Sequence, residues 1–141
     1  MLRLAQQHRE AMIAHGERTY PHECCGFLIG NWSEGHKQVA EVRPAGNARE
    51  DSPQNRYLIE PREVYEVDRD ARRAGQEIIG FYHSHPDVPA LPSAYDLEHA
   101  PWSGYSMLIM SVNGGKATDM RSWVVVEDRS RFAEEPIVVE E

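Results

Sequence analysis

The sequence predicts an α/β fold contained in one domain. Runs rich in β-branched and aromatic residues alternate with amphipathic stretches at helical spacing. A chain of 141 residues has the size of one domain with one core, and 40% hydrophobic residues can fill it. Internal repeats, low-complexity tracts and interdomain linkers are absent, so residues 1–141 are read as a single unit.

Each element follows from local chemistry. Ala5, His8, Met12 and Ile13 recur at helical spacing, which predicts a helix over residues 5–19. Gly16 weakens its last turn and Pro21 stops it. Glu23 to Gly30 reads as a mostly buried strand with a carboxylate at its head. Asn31 to Gly35 is a turn, and Gln38 to Pro44 returns as a second strand. Ala45 to Gln54 is a polar loop, and Arg56 to Glu60 a short strand. Pro61 suits the first turn of a helix whose apolar stripe is Val64, Val67 and Ala71, with Gly75 closing it. Glu77-Ile78-Ile79 leads into a strand carrying His83 and His85, which Pro86 ends. Ser93 opens a short helix reaching about His99. Ser106 to Val112, Met120 to Glu127 and Pro136 to Val139 are strands, with Asn113-Gly114-Gly115 as a hairpin turn.

Composition narrows function. The formal charge is −8, which disfavours a nucleic-acid binder and gives no reason to expect an anionic membrane surface. No apolar run approaches the roughly 20 residues of a membrane span. The N-terminus lacks the apolar core of a signal peptide, so the expected location is the cytoplasm. Cys24 and Cys25 are adjacent and cannot staple distant segments; small buried residues are the expectation for both.

The informative stretch runs from Gly80 to Asp96. In a strand His83 and His85 share a face, roughly 6.6 Å apart at Cα, and two imidazoles so placed can converge on one metal. Pro89 and Pro92 stiffen the loop that follows, and Asp96 lies in the first turn of the Ser93 helix. Two histidines and one carboxylate leave a fourth zinc position for water. Ser93 and Asp96 also have the form of a capping box, a role that competes for the Asp96 side chain. Glu23 alone reads as an exposed strand-start charge; beside a metal it reads as a general base. The pattern does not fit a metallo-β-lactamase, a helical His-Glu-x-x-His or a zinc deaminase.

His83-Ser84-His85-Pro86, then Ser93-Ala94-Tyr95-Asp96, with Glu23 upstream, resembles the JAMM/MPN+ metalloprotease family. The likeness includes Pro21 to Gly26 and the tail Glu134-Glu135-Pro136-Ile137, and in length it is similar to short bacterial Mov34/MPN/PAD-1 proteins of the CysO-cysteine peptidase type. The resemblance implies an MPN-type curved mixed β-sheet flanked by two main helices, with a short helix at the metal site. It implies that His83, His85 and Asp96 hold one Zn²⁺ per chain, that Glu23 is the general base, and that Ser93 stabilises the oxyanion. The implied partner is a ubiquitin-like sulfur-carrier protein, cut after its C-terminal Gly-Gly to release cysteine or another amine. The alternatives are a non-catalytic MPN-type interaction module and a deubiquitinase-like isopeptidase. The oligomeric state, monomer or homodimer, stays open at this point.

Overall fold

The computed structural model describes residues 1–46, 59–100 and 103–141. Among these, eight strands form one mixed sheet in the order β7-β6-β5-β4-β2-β3-β1-β8. In chain order the elements are β1 (Leu2–Ala5), α1 (Gln6–Thr19), β2 (Cys25–Ser33), β3 (His36–Ala45), α2 (Pro61–Arg73), β4 (Glu77–Pro86), α3 (Ala94–Glu98), β5 (Ser106–Asn113), β6 (Lys116–Val125), β7 (Phe132–Glu135) and β8 (Ile137–Glu140). The β4–β5, β1–β3 and β1–β8 pairs are parallel; the other pairs are antiparallel.

The order of the strands explains the curvature. β7 and β8 are separated in sequence by Pro136 alone, yet they occupy opposite edges of the sheet. An extended residue spans about 3.3–3.6 Å, so the two edges must curl round until they meet at Pro136. A buried charge cluster ties this seam. Glu135 accepts from Ser106 Oγ (2.6 Å) and Ser122 Oγ (2.9 Å). It pairs with Lys37 of β3 at 2.8 Å, and Lys37 also donates to the Gly104 carbonyl at 2.7 Å.

Period-two alternation, reset in β4 by a register shift opposite Leu28 and Ile29, assigns the two faces. Cys24, Leu28, Tyr82, Leu108, Met110 and Val112 pack with Met12 of α1 on one side. Phe27, Ile29, Ile78 and Phe81 pack with Val67 and Ala71 of α2 on the other. α2 is held as its sequence predicts: Pro61 at N1, an apolar stripe at i and i+4, and Gly75 at φ +74 beyond the cap. His83 and His85 lie two and four residues beyond Phe81, so they belong to the α2 face.

Several boundaries differ from the sequence reading. β1 precedes α1 and has no counterpart in that reading; its four residues become a strand through pairing with β3 and β8. β2 continues to Ser33, so the turn shrinks to Glu34-Gly35, because cross-strand pairing extends to Ser33–His36. β6 begins at Lys116 and ends at Val125, and β7 is a separate strand paired with it. Most of the polar loop over Ala45 to Gln54 and of the short strand over Arg56 to Glu60 lies outside the described residues; Ile59 and Glu60, which are described, are not in a strand.

Candidate active site

The end of β4 and the start of α3 bring three ligand atoms together. His83 Nε2, His85 Nε2 and a carboxylate oxygen of Asp96 lie within 4.8 Å of one another, and all three residues are buried. The two Nε2 atoms are 3.1 Å apart, and each is 3.3 Å from one oxygen of Asp96. The strand period places both rings on one face, and the loop from Asp87 to Pro92 returns Asp96 to them.

That loop is pinned from several directions. Asp87 N–H donates to the Val112 carbonyl at 2.8 Å. Ser111 Oγ donates to the Val88 carbonyl at 2.6 Å, and Trp123 Nε1 to the Ala90 carbonyl at 3.1 Å. The Pro89 carbonyl lies 2.9 Å from His85 Nδ1. A carbonyl can only accept, so Nδ1 carries the hydrogen and the neutral ring presents its lone pair from Nε2. Metal-binding histidines are commonly oriented in this way. Sequence reasoning named none of these supports, because each joins positions far apart in the chain or uses a main-chain carbonyl.

The electrostatics suit a cation. Burial works to raise the pKa of Asp96, but the neighbouring His83 and His85 and the hydrogen bond from Ser93 N–H outweigh it and hold the carboxyl well below the usual carboxylate range. Full enclosure pushes the pKa of His83 down despite Asp96. At His85 burial also works downward, but Asp96 and the Pro89 carbonyl prevail and the pKa is raised. Two imidazole nitrogens and an ionised carboxylate aimed at one point are a donor set for a divalent cation of borderline softness, and the residues present fit one.

The competition expected for Asp96 does not arise. Ser93 N–H donates to Asp96 Oδ2 at 2.8 Å, and Asp96 N–H donates to Ser93 Oγ at 3.0 Å, a complete capping box. The same carboxylate still faces both histidines, because a carboxylate has about four lone-pair sites. Ser93 is exposed at the lip of the site. Its Oγ accepts in the cap, which leaves its hydrogen to donate elsewhere.

Glu23 is buried, at 6% exposure, rather than an exposed strand-start charge. Cys25 pairs with His83 across β2 and β4, and the antiparallel register continued by two residues sets Glu23 beside His85. It shares the face of His83 and His85 with Cys25 and Phe27 by period two. Its charge contributes to the raised pKa of His85. Ser84, between the histidines, faces the opposite side; its Oγ accepts from Cys24 N–H at 2.9 Å, and its N–H donates to the Cys24 carbonyl at 3.1 Å. Cys24 and Cys25 are buried as expected, and burial pushes their thiols up to about 11 and about 12. Neither is a thiolate at neutral pH.

A groove of about 770 Å³ lies on the same face, between α2 and the segment before β5. Val64, Ile78, Phe81 and Tyr105 give it an apolar lining, and Phe81 joins it to the histidine strand. No helix among the described residues is long and apolar enough to cross a membrane.

Comparison with known proteins agrees with this geometry. Residues 5–126 match the family described as prokaryotic homologues of the JAB domain. The chain is 34% identical over 117 residues to a desampylase of Haloferax volcanii, covering 80% of this chain and 82% of that protein. It is 32% identical over 131 residues to the CysO-cysteine peptidase of Mycobacterium tuberculosis, covering 93% and 86%. A solution structure from Desulfitobacterium hafniense superposes with a TM-score of 0.86 at 33% identity, covering 100% of this chain and 94% of that one.

Proposed function

The chain belongs to the family of prokaryotic homologues of the JAB domain, and we propose that it is a zinc-dependent peptidase or isopeptidase acting on a ubiquitin-like sulfur-carrier protein. It hydrolyses the amide bond after the carrier's C-terminal Gly-Gly and releases cysteine or another amine. The single observation that carries this reading is the convergence of His83 Nε2, His85 Nε2 and the Asp96 carboxylate. Relatives named for cleaving CysO conjugates and for desampylation support the substrate class. The reading takes residues 1–141 as one peptidase domain working in the cytoplasm. All five site residues come from one chain, so it needs no second protomer.

His83, His85 and Asp96 would hold the zinc ion. Bound there, zinc supplies Lewis acidity to the scissile carbonyl and makes water in the site more acidic. Glu23, buried beside His85, takes a proton from the attacking water and delivers it to the departing amine. The Ser93 hydroxyl donates to the oxygen that gains charge. Its cap bond from Asp96 N–H fixes the direction of that hydroxyl in advance. His85 is kept in the required tautomer by the Pro89 carbonyl. The groove beside Phe81 offers an apolar floor to an extended tail, whose main chain can be held by hydrogen bonds that are tolerant of sequence.

The test incubates the zinc-loaded protein with a carrier–cysteine adduct and, separately, with Lys-linked diubiquitin, both followed by mass spectrometry. Release of cysteine is expected, with Glu23→Gln slower by on the order of 10²–10⁴ while it retains zinc. Efficient diubiquitin cleavage with an untouched adduct would overturn the substrate class. Undiminished hydrolysis by Glu23→Gln would overturn the mechanism.

A further inference from the structure

The position of Glu23 relative to His85 poses a structural problem. The two residues sit side by side where the β2–β4 pairing runs out. Ser84 N–H donates to the Cys24 carbonyl, and the next β4 donor toward β2 would lie two residues on, at position 86. That residue is Pro86, which has no N–H. The ladder therefore cannot be extended from β4 across the place where the general base must be held against the metal ligands.

A side-chain bond spans that place. Tyr20, three residues before Glu23, donates its hydroxyl to Asp87 Oδ2 at 2.7 Å, and Asp87 stands two residues after His85. Asp87 is itself fixed. Its Oδ1 accepts from Gly114 N–H of the β5–β6 turn at 2.9 Å, and its own N–H donates to the Val112 carbonyl at 2.8 Å. Its backbone sits at φ +60, a left-handed conformation that Asp tolerates better than most non-glycine residues. The Tyr20 ring packs on the core beneath α1, so the hydroxyl has a firm base. α1 is in turn tied to β6 by Ala117 N–H donating to Glu17 at 2.9 Å.

We infer that Tyr20 and Asp87 are positioning residues for the hydrolysis, forming a brace that sets the Glu23 carboxylate against His85 where the β2–β4 ladder stops at Pro86. The inference rests on the reading of Glu23 as general base. The brace touches no substrate; it acts through Glu23. Its loss lowers the rate of the chemical step and leaves metal ligation and substrate binding in place, because His83 keeps its strand pairing on both sides and His85 and Asp96 keep their bonds to the Pro89 carbonyl and the Ser93 N–H.

The experiment uses single turnovers with enzyme in excess on the carrier–cysteine adduct, beside zinc titration against a chelator. Tyr20→Phe removes only the hydroxyl. Asp87→Gly removes the carboxylate while keeping a residue at ease at positive φ. Each is expected to lower the rate on the order of 10-fold, since misplacement by about 1 Å can cost 10²-fold. Zinc affinity and the half-saturating enzyme concentration should stay within about twofold. The double variant should be no slower than either single one. In the Glu23→Gln background, Tyr20→Phe should slow the reaction by less than about twofold, because the group it positions is gone. A merely structural role would slow both backgrounds alike, and that result would overturn the brace, as would Tyr20→Phe turning over at the wild-type rate. Wild-type hydrolysis by Glu23→Gln alone would instead overturn the underlying reading and the brace with it.

Discussion

Alanine at Gly26 would put a methyl group into the edge of the Tyr82 ring. A Cβ built there stands 2.5 Å from Tyr82 Oη and nearer still to ring carbons Cε2 and Cζ, where ordinary contact begins at 3.4 Å. Either the ring or strand β2 must therefore move by roughly 1 Å. The ring cannot swing aside freely. Tyr82 is 1% exposed, and its hydroxyl is 2.8 Å from Nδ1 of the buried His15. Burial, with Arg18 nearby, lowers the pKa of His15, so a displaced Tyr82 leaves a neutral imidazole short of a partner. Overpacking of this kind costs about 1–3 kcal/mol, and a lost buried hydrogen bond about 1 kcal/mol. The total, about 2–4 kcal/mol, corresponds to a fall in Tm of roughly 10 °C for a chain of this size. Thermal and urea melts of Gly26→Ala measure it. Gly46→Ala is the control, because a Cβ there meets nothing within 4 Å among the described residues; its stability should stay within about 0.5 kcal/mol of wild type. A Gly26→Ala protein that melts within about a degree of wild type would refute the claim that Tyr82 forbids a side chain at this position.

Lys37→Met should destabilise the fold by about 3 kcal/mol, as expected when a buried carboxylate loses its cation. Burial works to raise the pKa of Glu135, but Lys37, Ser106 and Ser122 prevail and lower it below its ordinary 4.5. Its contribution to stability is therefore present above pH 4.5 and is lost as pH falls through the lower folded value. Urea melts from pH 6 downward should show a steeper acid loss in wild type than in Lys37→Met, and equal slopes would count against the pair. Ser93→Ala should lose about 1 kcal/mol from the capping box and on the order of 10²–10³ in rate. A melt and a rate constant read the two separately: an unchanged rate removes the oxyanion role, and an unchanged melt removes the cap.

Much of the site was legible in the sequence because its geometry is local. His83 and His85 meet through the strand period, and Asp96 reaches them from a helix start that Ser93 specifies three residues earlier. α2 was equally legible, its ends marked by Pro61 and Gly75 and its buried face by Val67 and Ala71. Glu23 was ambiguous, since a carboxylate at a strand head is exposed more often than buried; the pairing of Cys25 with His83 decided the matter.

Sequence by itself determined the α/β class, the convergence of His83, His85 and Asp96, and the polarity of the helices. These depend on contacts within a few residues, where propensity, periodicity and capping speak directly. The tertiary structure alone decided the rest. β1 is a strand only because residues 37–38 and 137–140 flank it. The sheet curls because Pro136 joins strands from its two edges. Pro89, Ser111 and Trp123 support the loop between His85 and Asp96, and Tyr20 meets Asp87, through hydrogen bonds whose partners no local pattern identifies. A hydroxyl or indole N–H can satisfy many acceptors, and only the closed sheet determines which one lies within reach.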